Sequence, residues 1–137
     1  DNTNQIVAGA SMGGLMSMKT SILFPQFRNI ISLSPAFWFG YPSVLNDVKN
    51  LSNESSTYLY TGKKEGHIFG DHVKNIFPNN WDLDFSNNDN FYYSGVKNIK
   101  ESLDSNNKKV IFSFQDNGGH NETSWATAIL EILGKLI

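Results

Sequence analysis

Four short apolar segments alternate along the chain with segments whose apolar residues recur at helical spacing. The apolar segments, which predict β-strands, are residues 5–8, 29–33, 57–60 and 110–114. Helical spacing is found between and after them, most regularly at Tyr92, Val96, Ile99 and Leu103. This alternation is typical of a parallel sheet with helices packed on both faces, and it restricts the fold to the α/β class with about four strands.

Two polar residues are predicted to begin helices. Ser43 precedes apolar residues at positions 44, 45, 48 and 51, and Asn121 precedes a stripe formed by Trp125, Ile129, Ile132 and Leu136. Residues 66–90 are rich in Asn, Asp and Gly and have no clear period, so we predict a long loop there. Residues 1–137 carry no repeat and no low-complexity linker, which predicts a single domain.

Composition excludes several classes of function. The 137 residues are 39% hydrophobic and carry a formal net charge of -2, so the chain can bury a core but offers no basic field for nucleic acid. No segment approaches the length of a membrane-spanning helix. The absence of cysteine excludes thiol catalysis and thiolate metal sites, and it leaves the compartment open.

The strongest chemical signal is the G-x-S-x-G pattern at residues 9–13, with Ser11 at its centre. It lies between a predicted strand and a predicted helix, as the nucleophile elbow of serine hydrolases requires. We expect Ser11 to hold a strained backbone and side chains at Gly9 and Gly13 to clash. The helix directs its free N-terminal amides at the site, so the Met12 amide is a predicted oxyanion donor.

A serine hydroxyl needs a base to take its proton, and His120 is the favoured candidate among three histidines. It follows the fourth predicted strand, and parallel strands bring their carboxyl ends to one edge of a sheet. His67 and His72 lie in the long polar segment, where we expect them to be solvated. A metal site at Glu65, His67 and His72 matches no common zinc spacing, so no metal is predicted.

Three carboxylates could orient the histidine. Glu65 follows the third predicted strand and fits the chain order serine, acid, histidine, which favours it. Asp71 lies a few residues further on, and Asp116 lies close to His120 in sequence. The residues alone leave these alternatives open. For Glu65 itself, a role as the orienting acid is preferred to that of a surface carboxylate that offsets Lys63 and Lys64.

Aromatic residues follow the second predicted strand in the segment Ser34-Pro35-Ala36-Phe37-Trp38-Phe39. This segment belongs at the same sheet edge, so Phe37 and Trp38 could form the wall of an apolar acyl pocket. Packing that holds the loop down explains them equally well.

Three segments together resemble a known family: residues 6–15, residues 24–27 and residues 33–38. They are similar to the α/β-hydrolase family that includes esterase D-like enzymes and the enterochelin (siderophore) esterases. The resemblance implies Ser11 as nucleophile, His120 as general base and Glu65 as the acid. It implies cleavage of a small-molecule ester without a cofactor.

The resemblance also implies that residues 1–137 are the C-terminal part of an α/β-hydrolase domain. The family has an eight-stranded sheet, and this chain begins at its fifth strand, without the loop that supplies the second oxyanion amide. We therefore expect weak activity or none from this chain alone. An exposed first strand should also recruit a second copy, giving a homo-oligomer.

Two other functions stay open at this stage. Acyl transfer uses the same machinery with an alcohol in place of water. A non-catalytic remnant or binding module could keep the same scaffold, and a serine that refuses a covalent probe would favour it.

Overall fold

The computed structural model describes residues 5–136. Four parallel strands form one sheet in the order β1-β2-β3-β4, and their bounds are Ile6–Ala10, Asn29–Leu33, Ser56–Gly62 and Lys109–Gln115. The α-helices are α1 (Met12–Leu23), α2 (Ser43–Asp47), α3 (Asn88–Ser105) and α4 (Glu122–Leu136). The predicted α/β class and the parallel sheet of four strands are confirmed.

Helices cover both faces of the sheet, as predicted. On one face, residues of α1, α2 and α3 pack against Ile30 and Leu59 of the central strands. On the other face, Ala128 and Ile132 of α4 pack against the neighbouring strand residues Ile31 and Tyr58. Adjacent residues of a strand point to opposite faces, so strands buried on both sides are apolar at nearly every position.

The α3 stripe forms much of the larger core. Tyr92, Val96, Ile99 and Leu103 are all 0% exposed. Their spacing of three and four residues places them on one side of the helix, where they face the sheet. The helix begins after Asn87, whose side chain accepts a hydrogen bond from the Asn90 amide.

The segment 66–90 is more ordered than its composition indicates. Short 3-10 turns form at Gly66–Phe69 and Val73–Asn75. Four aromatic side chains of the segment pack against the α3 side of the core: Phe69, Phe77, Trp81 and Phe85. The sequence lacks a period because isolated apolar contacts, rather than a regular element, hold this segment in place.

The two predicted helix starts have different outcomes. Asn121 behaves as expected, since its side-chain oxygen accepts a hydrogen bond from the Ser124 amide in the first turn of α4. The prediction for Ser43 was wrong, because Pro42 occupies the cap position and Ser43 is the first helical residue. The Ser43 hydroxyl instead donates to the carbonyl oxygen of Gly40.

The first strand lies at an edge of the sheet. Within residues 5–136, β1 pairs only with β2, so its outer side has no strand partner. Apolar side chains are exposed here, with Ile6 at 42% and Met16 of α1 at 49%. No helix among the described residues has the length and hydropathy needed to cross a membrane.

Candidate active site

Ser11 lies in a sharp turn between β1 and α1. Its φ of 58° places it in the left-handed region, which residues other than glycine rarely adopt. The Ser11 amide donates to the carbonyl oxygen of Leu33 over 2.9 Å, and its carbonyl oxygen accepts from the Ala36 amide over 2.9 Å. Because both contacts come from the end of β2, the strained conformation is fixed by the neighbouring strand.

The three glycines near Ser11 differ in whether the structure has room for a larger side chain. A Cβ atom at Gly9 would lie 2.3 Å from the carbonyl oxygen of Gly13, so the predicted clash is found there. At Gly13 a Cβ atom would meet nothing within 4 Å, so the expectation of a clash there was wrong. At Gly14 it would lie 2.8 Å from the Leu33 carbonyl oxygen. Close packing of α1 on β2 therefore requires Gly14, which lies outside the five-residue pattern.

His120 lies beside Ser11 although 109 positions separate them in sequence. Its Nε2 atom is 3.0 Å from the Ser11 Oγ atom. The turn after β4 brings it to the carboxyl end of the sheet, and only 12% of its side chain is exposed. The parallel topology thus brings these two predicted residues within hydrogen-bonding distance.

Glu65 lies on the other side of the imidazole, with its Oε1 atom 2.7 Å from His120 Nδ1. The residue is 0% exposed, and its second oxygen accepts from the Ser34 hydroxyl and from the Gly62 amide, each over 2.6 Å. A buried carboxylate is costly unless such donors satisfy it. Its contacts therefore fix its position and leave Oε1 directed at the histidine.

The other two carboxylate candidates lie elsewhere. Asp116 has 78% of its side chain exposed and forms an ion pair with Lys63, at 3.4 Å. Asp71 is exposed and accepts hydrogen bonds from the His72 amide and the Asn75 side chain. Glu65 is thus the carboxylate that the structure brings to His120.

The remaining histidines do not form a metal site. His67 is exposed, as expected, but its Nε2 atom accepts a hydrogen bond from the backbone amide of His120 over 3.1 Å. His72 accepts from the Lys74 amide. Across residues 5–136, no three His, Asp or Glu side chains gather in a way that could hold a metal ion.

Ser34 is a site residue that the sequence analysis missed. Its hydroxyl donates to Glu65 and accepts from the Trp125 indole N–H over 2.9 Å, while its carbonyl oxygen accepts from the Tyr92 hydroxyl over 2.6 Å. Its φ of 46° is also left-handed. The sequence feature that could have indicated this role is the position of Ser34 directly after β2, at the same sheet edge as Ser11.

Two aromatic rings, one from α4 and one from α3, pack against the imidazole of His120. Trp125 of α4 meets it edge-on at 4.9 Å and 82°, and Tyr92 of α3 lies 5.5 Å away. Burial and the negative charge of Glu65 raise the pKa of Tyr92 well above its ordinary value. The Tyr92 hydroxyl therefore stays protonated and keeps donating to Ser34.

Tyr60 is a second buried phenol near this network. Burial, followed by the charges of Glu65 and Glu131, raises the pKa of Tyr60 to about 12. Its hydroxyl has no hydrogen-bond partner among the described residues. It stays neutral at physiological pH and adds no charge beneath the site.

The two predicted pocket aromatics have different environments. Phe37 is 0% exposed and packs within the core, so it has no surface to offer a substrate, which corrects its predicted role. Trp38 is half-buried and lies 5.2 Å from the ring of Tyr92, the residue that contacts His120. Phe39 lies against Trp38 and is 64% exposed. The short 3-10 turn Phe37–Gly40 turns consecutive side chains in different directions.

The Met12 amide is placed at the start of α1, directly after Ser11. Within the described chain it makes no backbone hydrogen bond. The first amides of a helix have no partner inside the helix and attract negative charge. The arrangement therefore places an imidazole nitrogen within hydrogen-bonding distance of the Ser11 hydroxyl, next to the N-terminus of a helix.

Comparison with known proteins supports the fold described above. No protein-family model matches the chain, and no curated protein sequence matches it. Among solved structures, it is similar to the siderophore hydrolase EstA from Aspergillus nidulans, with a TM-score of 0.62 and 14% identity over 95% of this chain and 49% of that one. The likeness shows the α/β fold, and this chain spans about half the length of that neighbour.

Proposed function

We propose that the protein is a serine hydrolase that cleaves carboxylic esters through an acyl-enzyme. The observation that supports this most directly is the continuous series of hydrogen bonds from Ser11 to His120 to Glu65, with distances of 3.0 and 2.7 Å. In this proposal Ser11 is the nucleophile, His120 the general base and acid, and Glu65 the group that orients the imidazole.

The reaction has two stages. Ser11 Oγ attacks the ester carbonyl carbon as His120 Nε2 accepts its proton, and the protonated imidazole then gives this proton to the departing alkoxide. Water, deprotonated by the same nitrogen, then attacks the acyl-serine. The bond between the acyl carbon and Ser11 Oγ breaks, Oγ takes the proton back from the imidazolium, and the carboxylic acid is released. Glu65 stabilises the imidazolium in both stages because its Oε1 atom lies against Nδ1.

Among the described residues, we assign the Met12 amide as the oxyanion donor. It faces the site from the N-terminus of α1, where unpaired amides favour the negative oxygen of the tetrahedral intermediate. One donor supplies only part of an oxyanion hole, and loss of a donor typically lowers turnover by about 10²–10³-fold. We accordingly expect slow turnover by this chain.

The aromatic side chains of Trp38 and Phe39 support an apolar or aromatic acyl group as the substrate. Trp38 contacts Tyr92 beside His120, and the exposed face of Phe39 continues this surface outward. The neighbour of similar fold is a siderophore hydrolase, so siderophore esters and simple acyl esters are the two substrate classes to test.

We also propose that residues 1–137 form one partial α/β-hydrolase domain of the esterase D and enterochelin esterase family. The support is the resemblance of residues 6–15 and 33–38, together with the half-length match to the hydrolase neighbour.

A fluorophosphonate probe tests the proposal, since it modifies only a serine whose hydroxyl is activated. Wild-type protein should be labelled at Ser11, and labelling should be lost in Ser11→Ala and strongly reduced in His120→Ala. Ser105→Ala, which removes an exposed hydroxyl on α3, is the matched control and should label normally. A folded wild-type protein that refuses the probe would instead support a non-catalytic scaffold.

A further inference from the structure

His120 is held at two points by one short turn. Glu65 immediately precedes the turn Gly66–Phe69, which carries His67. The Glu65 carboxylate contacts the imidazole of His120 at 2.7 Å, while the His67 ring accepts a hydrogen bond from the backbone amide of His120 at 3.1 Å. Side chains two positions apart thus fix both the ring and the main chain of the same residue.

We propose that His67 is a positioning residue for His120, whose main chain it holds by accepting a hydrogen bond from the His120 amide. The inference rests on the proposed function, because it concerns the residue that serves there as general base. It assigns a task to an exposed histidine outside the series Ser11, His120 and Glu65.

The contact has a required direction. A backbone amide can only donate, so His67 Nε2 must accept, and this demands a neutral ring with its proton on Nδ1. A replacement without an acceptor at this position therefore loses the contact.

The loop around His120 depends on few other contacts. The Lys64 amide donates to the Gly118 carbonyl oxygen over 2.9 Å, and the Gly119 amide donates to the Ser124 hydroxyl over 3.2 Å. A third contact spans His120, since the Asn121 amide donates to the Gly119 carbonyl oxygen over 3.0 Å. Among the described residues, the hydrogen bond to His67 is the one that the His120 amide itself makes.

The turn that carries His67 is itself attached to α3. The Gly66 amide donates a hydrogen bond to the Asp89 carboxylate over 2.8 Å. This contact helps to fix the position from which His67 meets His120.

Three variants separate the contact from general structural effects. His67→Gln keeps an acceptor at nearly the same place and cannot be protonated, whereas His67→Ala removes it. His72→Ala is the matched control, since His72 is an exposed histidine of the same segment. At pH 8 we expect His67→Ala to label with fluorophosphonate about fivefold more slowly than wild type, and the other two to match it.

Rescue by the conservative variant provides the distinguishing result. A loss of rate in His67→Ala that His67→Gln restores would show that the acceptor, and not the bulk of the ring, positions His120. A His67→Ala rate equal to wild type at pH 8, or a His67→Gln rate as slow as that of His67→Ala, would overturn the inference.

The NMR resonance of the His120 backbone amide provides a measurement that does not depend on labelling at Ser11. In wild type, His72→Ala and His67→Gln the His120 amide proton should exchange slowly with solvent, and in His67→Ala it should exchange faster. Equal exchange in wild type and His67→Ala would refute the contact. If no variant labels at Ser11, the proposed hydrolase function fails, while this resonance still decides whether His67 holds His120.

Discussion

The two sides of Ser11 differ in how completely the protein packs them. On the β2 side, the Ser11 amide, the Glu65 carboxylate and the His120 ring all have hydrogen-bond partners at or just beyond the carboxyl ends of the strands. On the outer side, within residues 5–136, β1 has no strand partner, and Ile6 and Met12 are 42% and 40% exposed. The proposed chemistry therefore depends on the packed side, and we propose that the open side is a surface for association.

The largest effect is expected at the centre of the packed side. His120→Ala removes the proposed base, and labelling of Ser11 should fall by about 10⁴–10⁶-fold. The matched control His72→Ala should label at the wild-type rate. Labelling that survives in His120→Ala would mean that another group activates the serine.

The next effect concerns the carboxylate. A glutamine at position 65 has one acceptor oxygen, which the Gly62 amide and the Ser34 hydroxyl would occupy, so its NH₂ group would face His120. This favours the wrong tautomer of the imidazole, and we expect Glu65→Gln to slow labelling by about 10³–10⁴-fold. Asp71→Asn alters a carboxylate that lies away from the site and should have no effect. Equal rates in both variants would remove Glu65 from the mechanism.

The sequence was sufficient for the parts of this site that topology determines. Ser11, His120 and Glu65 each follow a strand, and parallel strands end at one edge, so their proximity follows from the strand pattern. Their catalytic roles stay predictions. The roles of Ser34 and His67 depend on loop conformations that no periodicity encodes. For the same reason, the sequence could not show that Phe37 turns into the core.

Alanine substitutions at two glycines next to Ser11 should change the free energy of unfolding by different amounts. Gly14 faces Leu33 on the packed side, so Gly14→Ala should lower the free energy of unfolding by about 1–3 kcal/mol. Gly13 faces open space at the start of α1, so Gly13→Ala should leave it unchanged or raise it by up to about 1 kcal/mol. Urea denaturation measures both. Equal destabilisation would show that both sides are closely packed.

The smallest effect is expected on the open side. We propose that β1 pairs with a second copy of the chain, and a charge on an edge strand opposes such pairing. Ile6→Lys should weaken self-association roughly tenfold in sedimentation velocity. Leu130→Lys is the control, since it places the same charge on an apolar residue of α4 that is 71% exposed. Wild-type protein that stays monomeric at high concentration would contradict this proposal.

The most direct test of the central claim is to trap the acyl-enzyme. Wild-type protein mixed briefly with p-nitrophenyl acetate, quenched in acid and mapped by peptide mass spectrometry should carry one acetyl group, on Ser11. His120→Ala should carry none there. Acetylation confined to lysines, or an equal yield on Ser11 in His120→Ala, would contradict activation of Ser11 by His120.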